Sequence, residues 1–235
     1  MNTNQKHAWC FRILIYVTGM VVLAAGITLN TKTGLGVSPI ISIPFTISYI
    51  WNLNFGMMTF AVYSVFVGLQ FLLKGSTRTW LDLLQIPVSF LFSMLLNLFS
   101  DILNITYPTL WQNLVLLLAA IIITALGVVM TVNMKLVPNP GDGMAQATGY
   151  ALHRGVGFGK NVLDGACVIL SSLLGYLAAG EIAAIGVGTL LAMVGVGRFI
   201  ALFNHFLKKP MEKVVSRGRR TPPGRLGGGM VRGRL

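Results

Sequence analysis

Eight residues of this sequence have types and spacing that suit ligand binding or charge coupling: Ser38, Pro39, Asn139, Gly141, Asp142, Lys160, Asp164 and Arg198. Ser38-Pro39 and Asn139-Pro140 share one layout. A Ser or Asn oxygen can accept an N–H group left over at a helix start. Proline at the first helical position lacks the N–H that would go unsatisfied. Each pair therefore predicts a helix start. Gly34, Gly36, Gly141 and Gly143 flank them. Backbone N–H groups exposed there, at the positive end of a helix dipole, could hold an anionic or carbonyl group. The plainer reading is that these glycines permit tight turns. Asp142, three residues after Asn139, suits the helix start by charge; its side chain could also take a cation or a proton.

Lys160 and Asp164 are four residues apart, the spacing of an ion pair on one helix face. A carboxylate inside an apolar span costs about 2.5–3.5 kcal/mol on insertion scales. Asp164 is thus either locally paired with Lys160 or a site for a coupling ion or proton. Arg198 lies about ten residues, or about 15 Å, before Lys208. Snorkelling to the surface would use most of its reach. The sequence directs it into the bundle, with Asp164 as partner and recognition of an anion by its planar fork of donors as the functional reading.

Such residues need apolar elements to position them. The chain has 235 residues, 54% hydrophobic and 10% charged, with a mean hydropathy of +0.75. A soluble domain carries about 25% charged residues, so the composition predicts an all-α polytopic membrane bundle with the lipid bilayer as solvent. The apolar runs do not alternate as barrel strands do. Six long segments, 12–30, 56–73, 80–103, 110–134, 159–179 and 182–207, each approach the ~20 residues that cross a bilayer. The first is read as a retained span. Two shorter pieces, 38–52 and 141–153, follow the two capped starts.

The halves correspond. Gly26 to Pro39 and Gly127 to Pro140 are both thirteen residues, and Phe55-Gly56 answers Phe158-Gly159. With eight spans, Lys74 and Arg78 would fall outside and the uncharged loop 104–112 inside, against the positive-inside rule. With six spans and two re-entrant or half-crossing helices, only Lys32 is misplaced. Three spans per half makes the repeats inverted. The expected organisation is a cytoplasmic N-terminus (1–11), a first repeat (12–103), an external loop (104–112), a second repeat (113–207) and a cytoplasmic tail (208–235).

The net charge of +12 is mostly that tail, which holds nine of the 18 Lys and Arg and one acid, Glu212. It reads as disordered and suited to anionic lipid headgroups, with no nucleic acid expected. Cys10 and Cys167 make no disulfide framework, and His7, His153 and His205 have no ligand spacing. The chain carries no hydrolase, zinc-protease or nucleotide-binding motif, so neither enzyme activity nor a cofactor is expected. Ala184, Gly188 and Ala192, four apart, form a face for close helix packing.

The two turns, GLGVSP and NPGDG, and the run GVGTLLAMVGVGRFIALF (186–203) resemble the YczE/YitT-like group of bacterial integral membrane proteins over about residues 10–208. The resemblance implies a multi-pass bacterial inner-membrane protein and supplies no substrate. Inverted repeats with broken helices are a transporter pattern. The sequence therefore favours a small-molecule or ion permease working by alternating access. A non-transporting scaffold or assembly partner is the alternative, and a homo-oligomer is left open.

Overall fold

The computed structural model describes residues 3–75 and 79–218. Arg78 and the segment 219–235 lie outside the described residues, and with them most of the tail expected to be disordered. The chain is an all-α bundle: α1 (Thr3–Thr31), α2 (Pro39–Trp51), α3 (Phe55–Lys74), α4 (Gln85–Ile102), α5 (Leu110–Asn133), α6 (Pro140–Ala151), α7 (Val156–Ala179) and α8 (Val187–Gly218). A 3₁₀ turn, Trp80–Leu84, precedes α4. Six of these helices are long and apolar enough to cross a membrane. The exposed surface fits a lipid environment: Leu72, Ile169, Leu177 and Leu190 all face outward, and so do Trp51, Trp80, Trp111 and Tyr176 near helix ends.

α1 and α5 cross at the centre and run antiparallel. A Cβ on Gly26 would stand 2.5 Å from the Thr124 backbone nitrogen, and one on Gly127 would stand 2.5 Å from that of Leu23. Only glycine lets the two backbones come this close. Since α1 and α5 open the two halves, their antiparallel contact makes the repeats inverted. The same register explains the two short helices. Thr31 ends α1 level with about Ala119, so α5 runs on for about 14 Å beyond it. At the other end, α1 extends well past Asn133 in the same way. Both turns, 32–38 and 134–139, therefore lie within the bundle rather than at its ends. From there α2 returns to the face where α1 ends, here the upper face, and α6 runs to the lower face, where α1 begins.

Each half-helix is fastened to its neighbours by polar contacts. On α2, the Ser42 hydroxyl donates to the Cys167 carbonyl at 3.3 Å, and Thr46 and Ser171 share a hydrogen bond of 2.7 Å. On α6, the Pro140 carbonyl accepts from Gln70 at 3.1 Å, while Gln70 and Gln85 exchange two amide bonds of 3.0 and 3.2 Å. In an apolar medium such groups must be satisfied internally. Lys32, the cation that the six-span reading leaves misplaced, donates to the Ser100 carbonyl near the end of α4 at 3.1 Å.

Three boundaries differ from expectation. The last helix starts at Val187 rather than 182 and continues to Gly218, past Pro210 and past the expected start of the tail at 208. Met211 and Val215 are buried in the main apolar cluster, and that packing holds the extra turns. α1 begins at Thr3, within the segment expected to be a separate N-terminus. The span expected from 80 begins as a 3₁₀ turn, where Asp82 accepts from the Thr79 amide at 3.1 Å and pairs with Lys74 at 2.9 Å.

Candidate functional site

The starts of the two short helices meet. Ser38, Ile40, Asn139, Gly141 and Asp142 line one cavity of about 120 Å³ with Leu23, Thr124 and Val128 from the α1–α5 crossing, Tyr63 of α3, Lys160 of α7 and Val196 and Ile200 of α8. Seven of the eight helices reach it or stand at its edge, so a shape change here is felt by the whole bundle.

Asn139 and Ser38 have different roles. The Asn139 side chain accepts from the Gly141 amide at 3.0 Å, and its carbonyl accepts from the Gly143 amide at 2.9 Å. The cap expected there is present. Those two amides are thereby occupied, so the expectation that they hold an anion is not met by this geometry. Ser38 precedes Pro39 at the first helical position, but its side chain makes no cap hydrogen bond; the Ile41 amide goes to the Ser38 carbonyl at 3.0 Å. Pro39 is buried beneath the start of α2.

Lys160 and Asp164 pair as the four-residue spacing requires, with Nζ 3.1 Å from Oδ2. Asp164 is 1% exposed. Asp142 lines the cavity without accepting a hydrogen bond or ion pair from any described residue.

Arg198 is a correction. It is exposed on the side of α8 opposite Val196 and Ile200, and it does not meet Asp164. About 200° of helix rotation separates it from Val196. The residues α8 turns toward α5, among them Ala192 and Gly195 against Ile121, fix that rotation. The small-residue face is met in part: Ala192 packs against Ile121 and Gly188 donates to the Leu35 carbonyl at 2.7 Å, whereas Ala184 lies in the loop before α8, where its carbonyl accepts from the Val37 amide at 2.9 Å.

The two turns are closed differently. The upper turn is sealed by those two backbone bonds and by Gly36, whose Cα rests against Gly186. The lower turn is held by side chains: Arg12 donates to the Met134 and Lys135 carbonyls at 2.6 and 2.7 Å, and Tyr16 to that of Val137 at 2.8 Å. Beside it a second cavity, about 270 Å³, runs from Lys135 and Gln146 to Asn139 and Asp142. These last two residues line both cavities. A cavity thus adjoins the centre beside the lower turn, while the upper turn is tied by main-chain bonds to the segment before α8.

Sequence reasoning missed Tyr63, Gln70, Gln85 and Thr124. A glutamine within the apolar run of α3 was the one available signal, since an amide there needs a partner. No curated protein and no solved structure matches the chain. A model of a family of unknown function, DUF6198, matches residues 10–205, and the chain belongs to that family.

Proposed function

We propose that this multi-pass membrane protein is a small-molecule or ion permease that works by alternating access, rather than an enzyme. The observation that carries the reading is the meeting of two half-helix starts, one from each inverted repeat, at a single mid-depth cavity. The second cavity supports an inward-facing arrangement in which the lower face is cytoplasmic. Lys74, Lys135, Arg154 and Lys208 lie toward that face, in keeping with the positive-inside rule. The bacterial inner membrane and the closer kinship with the YczE/YitT-like group are part of the same proposal, and rest on the two turns and the run 186–203. A topology reporter after residue 54 should be external, and one after residue 156 cytoplasmic.

The test of transport is uptake into proteoliposomes from a mixed pool of small water-soluble solutes, read by mass spectrometry. The native chain should accumulate at least one solute that a Gly141→Trp variant, with its cavity filled, does not. Equal contents in both would sink the permease reading. One observation favours a scaffold instead: an exposed Arg198 near mid-depth is costly against lipid, and a partner helix would cover it.

A further inference from the structure

The central cavity has an unbalanced charge. One carboxylate, Asp142, and one ammonium, Lys160, line it, and Lys160 is already committed to a second carboxylate, Asp164, that stands next to the cavity without lining it. Asp142 accepts no hydrogen bond or ion pair from a described residue, and Lys160 acts on it only at longer range. It is not needed as a helix cap either, because Asn139 performs that task.

The other groups facing Asp142 do not supply the missing charge. α3 brings the Tyr63 hydroxyl, and α7 brings Cys167 behind Lys160 and Asp164. On α1, Arg12 and Tyr16 point to the carbonyls of the lower turn. Lys135 is exposed at the mouth of the lower cavity. α2 and α8 contribute apolar side chains and the Ser38 hydroxyl. An uncompensated negative charge this deep in an apolar medium is expensive.

We propose that Asp142 is a proton-binding site, loaded from the lower face through the 270 Å³ cavity and placed to couple proton occupancy to the central cavity. Hydronium in that cavity gives its proton to a carboxylate oxygen of Asp142 and leaves as water. The cluster is then neutral with the Lys160–Asp164 pair intact. When the proton leaves, Asp142 competes with Asp164 for the Lys160 ammonium, and the contact between α6 and α7 must adjust. An alkali cation is a poorer occupant, because a hard cation takes about six oxygen ligands, half of this wall is aliphatic, and an ammonium already lines it.

The inference deepens the permease reading, but its test is an equilibrium one. The full chain in detergent is titrated with acid from pH 8 to pH 5, and infrared spectra follow the carbonyl stretch of protonated carboxyl groups, identified by its shift in deuterium oxide. The native chain should bind one proton more than Asp142→Asn, and the band should vanish in Asp142→Asn and persist in Asp164→Asn. Lys160→Gln, which removes the ammonium that lines the central cavity, should add a second protonated carboxyl, and this arm decides the matter if Asp142→Asn does not fold. The proposal is overturned if the band follows Asp164, if no carboxyl carries a proton above pH 5, or if NaCl but not choline chloride releases the proton. Failure of flux with the proton count intact would remove the permease alone. Failure of the count with flux intact would remove the proton site alone.

Discussion

Gly36 is where the upper seal can be broken with one methyl group. Its φ of 99° lies where a non-glycine residue is strained by about 1–2 kcal/mol. A Cβ there would also press on the Gly186 backbone nitrogen and stand 2.6 Å from the Thr189 hydroxyl. Neither neighbour can yield without parting Val37 from Ala184 and Leu35 from Gly188. Each of those bonds is worth about 0.5–1.5 kcal/mol. Gly36→Ala should therefore weaken the seal by roughly 2–5 kcal/mol in all, shifting its open fraction by roughly 30-fold at the low end and several thousand-fold at the high end. The readout is a cysteine at position 38 in a chain carrying Cys10→Ser and Cys167→Ala. It is probed with a membrane-impermeant maleimide in sealed vesicles of both orientations. With Gly36 in place, Ser38→Cys should react from the lower face only. With Gly36→Ala it should react from the upper face. Unchanged upper-face labelling would refute the argument. So would an equal rise from both faces, which would mean general loosening.

Further expectations concern stability and insertion. Asn139→Ala removes the acceptor of the Gly141 amide and should cost about 0.5–2 kcal/mol in thermal unfolding, whereas Ser38→Ala, which loses no cap, should cost far less; equal losses would contradict the assignment. Gly127→Val forces α1 off α5 against backbone atoms and should destabilise by about 1–3 kcal/mol or more, visible as reduced yield of monodisperse protein. Arg198→Ala should leave the unfolding temperature and the proton count unchanged and ease insertion by about 2.5–3.5 kcal/mol in a translocon assay; a loss of stability would show that Arg198 has a partner.

The elements legible in the sequence were those marked by residues with few alternatives. Pro39 and Pro140 fixed the two helix starts to the residue. The matching thirteen-residue spacing behind them has a physical origin, because Gly26 and Gly127 face the opposite helix at one crossing. Lys160 and Asp164 were legible because an ion pair at that spacing is local. Arg198 was not, because its direction depends on how α8 rotates against α5, a matter of aliphatic packing that no spacing rule encodes. The tail expected from residue 208 is helical as far as Gly218, because Met211 and Val215 are held by distant helices. The occupied amides of Gly141 and Gly143 were hidden for a related reason: one residue, Asn139, satisfies what looked like an open nest, the first with its side chain and the second with its main-chain carbonyl.

The difference between the two turns bears on descent. The upper closure is written in main-chain atoms and glycines, so few single-codon changes can adjust it without damaging the bundle. The lower one depends on the side chains of Arg12 and Tyr16, and one codon can loosen or re-aim it. If both halves began as copies of one ancestral unit, selection has had a large mutational target on the lower side and almost none on the upper. Diversity among descendants of this chain should then gather around the start of α1 and the 134–139 turn, while the 35–37 and 184–188 segments stay close to their present form.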